Sequence, residues 1–320
     1  MKMIDEIALF LEENGFGFSR QMREGLDVLC ITTLDGHYDR VILPLEITAA
    51  EPKEAARQAE ETENSIRMIN SYDGEYPLTV ARDRWERQRG MMQKRILSHL
   101  ELFTPVYARN CEIRRIDKKT AADFLEQNHS YGDAACKYRY GMFLKRHTGH
   151  IAEEGIGEGL DPGTMIAVAT FSNARKWKKG DKEIRSYEWT RFASLPQLRI
   201  SGGMGRFLKH FIKEVQPDDI MSYADLEWSK GDVYMRLGFT LEGRKDPVTF
   251  VVDTDTWKRT ALKKSPASDS GLPKGSRLSD TIRSAAQRSP LSPSGDRNCT
   301  ARYFRNSGSN KFRLKLTDYE

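Results

Sequence analysis

Ser201-Gly202-Gly203-Met204-Gly205-Arg206 is the stretch best suited to holding an anion. Its glycines stand just before an apolar-periodic run (Phe207, Leu208, Phe211, Ile212, Val215), so they permit a tight turn and leave the first N–H groups of a helix free. Arg199 and Arg206 flank the loop and add positive charge. A second set of residue types is suited to moving protons: His129, Glu188, Tyr223 and Asp225. Imidazole takes a proton near neutral pH, and a carboxylate beside it either orients the ring or acts as the base itself. Arg191, three places after Glu188, suits bidentate capture of a phosphate or carboxylate. The structural alternative is a Glu188–Arg191 ion pair with His129 as a satisfied helix cap. Trp228 reads as packing or as a base-stacking platform.

The elements that must position these residues follow from periodicity. Residues 184–192 alternate as a half-buried strand does, 220–225 form a shorter strand, and 231–237 form a helix closed by Gly238-Phe239. Upstream, 111–116 reads as a strand and Thr120 onward as a helix, capped by Thr120 or Asp117 and ending at Asn128-His129. Residues 137–144 and 165–171 read as further strands, with a Gly-rich acidic loop over 147–162. Residues 240–243 and 248–252 are expected to be the last two core strands, and 301–305 with 311–316 a terminal hairpin. Open α/β sheets bind ligands at strand ends, so the proton-moving residues are expected to converge where the central sheet splays.

Strand, glycine loop, helix, strand and a helix ending in Gly-Phe resembles the core of the GNAT N-acetyltransferases. The closest match is Tyr234-Met235-Arg236-Leu237-Gly238-Phe239, similar to that superfamily's closing tyrosine and its Leu-Gly-Phe. With Gly203 and Gly205 as the loop's glycine pair, Ile200 stands where the family has Gln or Arg, and Arg199 lies one place off. Asn128-His129, residues 187–192, Gly202-Gly203, Ser222-Tyr223-Ala224-Asp225 and Trp228-Ser229 resemble GNAT-like phage proteins, including homing-endonuclease-associated and Mom-type DNA-modification proteins. The resemblance implies an acetyl-CoA or related acyl-CoA cofactor held by Arg199, Gly202, Gly203, Met204, Gly205 and Arg206. It implies catalytic roles among His129, Glu188, Tyr223, Asp225 and Tyr234, with Tyr234 protonating the departing thiolate. It places Arg191, Trp228 and Ser229 at the substrate.

Residues 1–108 read as a separate small α/β unit: a helix closed by Gly15, strands over 26–32 and 40–47 joined at Asp35-Gly36, and a long helix from Glu51-Pro52. Asp27, Glu46 and Lys53 are the residue types of a metal-dependent nuclease, but the compact carboxylate-x-lysine step is missing, so they read as charged strand ends. Residues 85–102 read as one basic helix connecting the units. The four cysteines (Cys30, Cys111, Cys136, Cys299) show no metal-ligand spacing, and reduced thiols in the cytoplasm are expected; no metal is called.

The formal net charge of +5 is uneven. From Lys258 to the end there are 14 Lys/Arg against five Asp/Glu, and the rest of the chain is slightly acidic. No apolar run approaches the roughly 20 residues that span a membrane. Residues 175–182, with Trp177 among lysines, form a hairpin tip that either grips nucleic acid or is an ordinary charged turn. The expectation is thus an α/β protein: a small N-terminal α/β domain (1–108), a GNAT-like mixed sheet flanked by helices (109–257), a flexible basic linker (258–298) and a returning hairpin (299–320). Its expected function is acyl-CoA-dependent transfer to an amine. The alternatives are a nucleic-acid base-modifying enzyme and a non-catalytic nucleic-acid-binding module using the tip and the basic tail.

Overall fold

The computed structural model describes residues 1–32, 39–73, 76–147, 160–262 and 301–318, and shows a mixed α/β protein. Residues 148–159 of the loop expected over 147–162, the Asp35-Gly36 turn, most of the basic linker and Cys299 lie outside the described residues.

The N-terminal unit comprises α1 (Met3–Glu13), β1 (Ser19–Arg23), β2 (Leu26–Thr32), β3 (Asp39–Leu45), α2 (Pro52–Asp73), β4 (Leu78–Ala81), α3 (Arg82–Arg87), α4 (Arg89–His99) and β5 (Thr104–Tyr107). β1 to β4 form one sheet in chain order, parallel only between β3 and β4. Alternation sends Leu29, Ile31 and Ile42 toward α1 and Trp85, and Val28, Cys30, Val41 and Leu43 toward Ile66 of α2. The single basic helix expected over 85–102 is broken: Gln88 leaves helical geometry (φ −127°, ψ 36°), and its side chain donates to the Ser130 carbonyl at 3.1 Å.

The second unit runs β6 (Cys111–Arg115), α5 (Lys118–Asn128), β7 (Tyr138–Leu144), β8 (Met165–Phe171), β9 (Arg175–Lys179), β10 (Lys182–Ser194), β11 (Leu198–Ser201), α6 (Gly203–Val215), β12 (Asp219–Asp225), α7 (Asp232–Arg236) and β13 (Thr240–Lys245). Then come β14 (Thr249–Asp253), β15 (Lys258–Ala261), β16 (Ala301–Arg305) and β17 (Ser309–Lys315). The main sheet has the order β13-β17-β12-β10-β8-β7-β6, with β9 paired to β10. Asp117 caps α5 by accepting from Thr120 N–H at 2.9 Å, and Ala121, Phe124 and Leu125 cover Val168 and Ala193 on one face. α6 covers the other face, where Phe211 stacks flat on Phe171 with centroids 3.9 Å apart.

Two expectations for the C-terminal part fail. Residues 248–252 are not a core strand, since β14 pairs with β15 and β16 in a separate three-stranded sheet. Nor do the last two strands form a hairpin. β16 belongs to that small sheet, while β17 runs between β12 and β13 in the main one. The cause lies at a crossing. Pro247, lacking an N–H, follows β13 and ends its pairing. Asn306 Oδ1 accepts from Val248 N–H (2.6 Å) and Gly308 N–H (3.2 Å), turning the chain from one sheet into the other. Gly308 has φ +79°, and a Cβ there would sit 2.4 Å from the Lys245 carbonyl oxygen, so only glycine passes.

Candidate functional site

β10 and β12 run parallel but pair over three residues only, from Ser186↔Asp219 to Glu188↔Met221. Just below, Ser186 Oγ donates to Asp219 at 2.6 Å and Arg313 pairs with the same buried carboxylate at 2.7 Å, pinning the strands together. Beyond Glu188 they part. β10 shifts register against β8 between Trp189 and Arg191, the signature of a bulge, and this turns it away from β12. Across the opening, Ser222 Oγ donates to the Trp189 carbonyl at 3.1 Å. A cleft at the carboxyl ends of two diverging parallel strands is where open α/β sheets receive ligands.

On the α6 face of this opening stands Tyr234. Its ring packs on Phe312 and Trp189, and its hydroxyl lies 2.9 Å from Ser222 Oγ. Burial pushes its pKa up, so the hydroxyl keeps its proton at neutral pH. On the opposite face are Glu188 and Tyr223. Burial raises the Glu188 pKa, against the opposing pull of Lys245 and Arg191, and burial raises Tyr223 as well. Lys245 was not singled out in the sequence. It comes from an exposed strand, but its ammonium folds over the Tyr223 ring, 3.5 Å from the centroid, and burial there lowers its pKa. Its only sequence signal is alternation, obscured by the bulge at Gly243.

The glycine loop lies at the end of β11, which pairs in parallel with β5. Gly202 adopts φ +76° and α6 begins at Gly203 with no side-chain cap. The N–H groups of Gly203, Met204 and Gly205 precede the first bond of the helix, made by Arg206 N–H to the Gly202 carbonyl at 3.0 Å. The flanking arginines are partly engaged: Arg206 donates to the Ala108 carbonyl at 2.7 Å and Arg199 lies over the Phe103 ring. The β5 pairing brings half-exposed Tyr107, with Arg109 stacked on it at 4.6 Å, beside the loop. Nothing in the sequence flagged that neighbour, because β5 and β11 are distant in the chain.

His129 departs from its expected role as a proton acceptor near pH 7. Burial and the nearby Arg191 and Arg84 push its pKa down to about 3, and its Nδ1 accepts from Tyr131 N–H at 3.1 Å. It is a neutral, positioned ring. Arg191 donates to the Gly132 (3.0 Å) and Thr190 (2.9 Å) carbonyls, so much of its fork holds the chain after α5 in place. Burial and Glu227 raise the Asp225 pKa to about 6, while the Tyr131 hydroxyl beside it pulls the other way, and its Oδ1 accepts from Glu227 N–H at 3.0 Å.

The N-terminal unit reaches into this group. Arg84 donates to the Ser130 carbonyl at 2.6 Å and stacks on Tyr131 at 4.7 Å, yet its Nε and Nη2 are buried without partners among the described residues. Beside it, buried Arg259 bridges Asp83 (2.7 Å) and Glu227 (2.9 Å), tying α3 to β15 and to the turn after β12. Trp228 is not a free stacking platform: Arg95 of α4 lies 3.9 Å over its ring, and it packs against the N-terminal core. Ser229 continues the same turn, with its N–H on the Asp225 carbonyl.

Asp27 is held by Arg20 and Glu46 accepts from the Met3 N–H, so the nuclease-like trio does not assemble. No cluster of three metal-ligating residues occurs among the described residues. Nor does any helix among them have the length and apolarity to cross a membrane.

No protein-family model matches the chain, and no curated protein matches it. Among solved structures it is similar to a chain of the one described as "The crystal structure of KacTA-DNA complex", at 18% identity and a TM-score of 0.23, over 41% of this chain and 85% of that one. At those values the likeness assigns neither a fold nor a function.

Proposed function

We propose that the chain is a GNAT-like N-acyltransferase that takes an acyl-CoA donor and passes the acyl group to an amine. The observation that carries this reading is the opening between β10 and β12, with Tyr234 on one face and Glu188 on the other. The succession of β10, glycine loop, α6, β12 and α7 also follows the order on which the family resemblance rests. In this reading the donor's pyrophosphate rests on the N–H groups of Gly203, Met204 and Gly205, and its thioester enters the opening. Glu188 takes the proton from the attacking amine, directly or through Tyr223. The new C–N bond forms, the C–S bond breaks, and Tyr234 gives its proton to the departing thiolate.

The loop is tested by Ser201→Glu. Ser201 is exposed at the end of β11, and a carboxylate there lies over the free N–H groups where the pyrophosphate would sit. Helix N-termini favour nearby anionic side chains, so the variant should fold as well as the wild type. In calorimetry its affinity for acetyl-CoA should fall at least about tenfold. Equal binding by the two proteins, or no binding by either, would sink the acyl-CoA reading.

A second reading, nucleic acid as the substrate or partner, is favoured by the β9–β10 hairpin. Arg175, Lys178 and Lys179 are exposed there without an ion pair among the described residues, while Lys176 pairs with Glu183 at 2.9 Å. Trp177 is less available than its setting suggests, since its indole N–H donates to Ser186 at 2.7 Å. If the tip holds duplex DNA, replacing Arg175, Lys178 and Lys179 by alanine should flatten the slope of log affinity against log salt by about 2–3. An unchanged slope would remove the tip from any nucleic-acid interface.

A further inference from the structure

A cavity of about 330 Å³ lies between one face of α2 and the outer end of the main sheet, where β16 and the turn after β12 meet. Its lining residues are other than those of the opening between β10 and β12, and β13 borders both. There Lys245 faces Tyr223 while its neighbour Arg244 lines the cavity. Pockets for small molecules begin at about 300 Å³, so this one has room for a ligand of mononucleotide size.

Its charges are unevenly matched. Each carboxylate in the wall already has a donor. Glu63 holds Arg244 in a bidentate pair (2.8 and 3.0 Å), Glu227 holds Arg259, and Glu46 accepts from Met3 N–H. Two cations in the wall are not matched in this way. Among the described residues, Arg305 makes no side-chain hydrogen bond or ion pair, and the Lys230 ammonium has only the Tyr76 ring, 4.4 Å away. Burial and Glu63 raise the Tyr76 pKa, so its hydroxyl remains a donor. Tyr303 adds an aromatic wall, fixed in place because its N–H bonds the Ala49 carbonyl at 2.9 Å. A guanidinium fork and an ammonium lining one cavity are the chemistry that recognises phosphate, and aromatic walls suit a flat apolar body.

We infer that this cavity binds a phosphorylated small molecule carrying a flat ring, in the size class of a nucleoside monophosphate. The probe is AMP, titrated calorimetrically into the full chain at low salt, with inorganic phosphate and adenosine as separate arms. AMP should bind more tightly than either arm alone. Lys230→Glu and Arg305→Glu should each weaken AMP at least about tenfold, and Ala59→Trp, which fills the cavity from α2, should abolish binding. Lys230 is exposed, so its reversal leaves folding intact and keeps the test valid even if another variant misfolds. Ser201→Glu should leave AMP binding unchanged, which separates this site from the glycine loop. The inference is overturned if AMP fails to bind at millimolar concentration, if phosphate alone binds as tightly, or if AMP binding is lost with Ser201→Glu but kept with Lys230→Glu.

Discussion

Glu188→Gln should lower acyl transfer from acetyl-CoA by about 10²–10⁴-fold while leaving donor binding near the wild-type level. The substitution keeps the shape and removes only the proton acceptor. Glu188 forms the last pair of the parallel register, with Met221, and its backbone N–H donates to Ser172 Oγ at 2.8 Å, so the strand itself should not move. The measurement is thiol release from acetyl-CoA against a panel of amines, followed as a function of pH. Burial raises the Glu188 pKa above that of an exposed glutamate. The base works only when ionised, so wild-type rates should rise with pH through that raised value, and this acid limb should vanish in Glu188→Gln. An unaltered profile would transfer the role to Asp225, whose pKa is raised to about 6. Tyr234→Phe supplies the complementary test. It removes the hydroxyl beside Ser222 and should cut turnover without moving the acid limb.

Much of the central scaffold was legible in sequence because it is local and periodic. The alternation over 184–192 and the run Phe207, Leu208, Phe211, Ile212, Val215 correspond to β10 and the packed face of α6, since both are set by side-chain period. What escaped is non-local. β17 closes the main sheet from far along the chain, and its destination is set by the Asn306–Gly308 crossing rather than by its own pattern. The site follows the same division. The strand ends of an open sheet led to the expectation that His129, Glu188, Tyr223 and Asp225 converge, but their proton affinities depend on neighbours that no spacing reveals. His129 is silenced at neutral pH by burial beside Arg191 and Arg84, and Arg84 comes from the other unit. Lys245 enters only because the bulge at Gly243 resets which side chains of β13 face Tyr223.

Replacing Arg259 by leucine should destabilise the protein by about 3–5 kcal/mol. Arg259 is nearly inaccessible, and both its partners are enclosed, Asp83 at 2% exposure and Glu227 at 11% for the side chain. Removing the guanidinium leaves two buried carboxylates facing each other, with their desolvation uncompensated, which costs more than the ion pairs contribute in the intact protein. The double variant Arg259→Leu with Asp83→Leu should recover part of the loss, because one stranded charge then disappears. Chemical denaturation of the wild type and both variants measures it, and a double variant no more stable than Arg259→Leu would mean that Arg259 acts through packing alone. The network also holds the turn after β12, whose Glu227 N–H caps Asp225 at 3.0 Å.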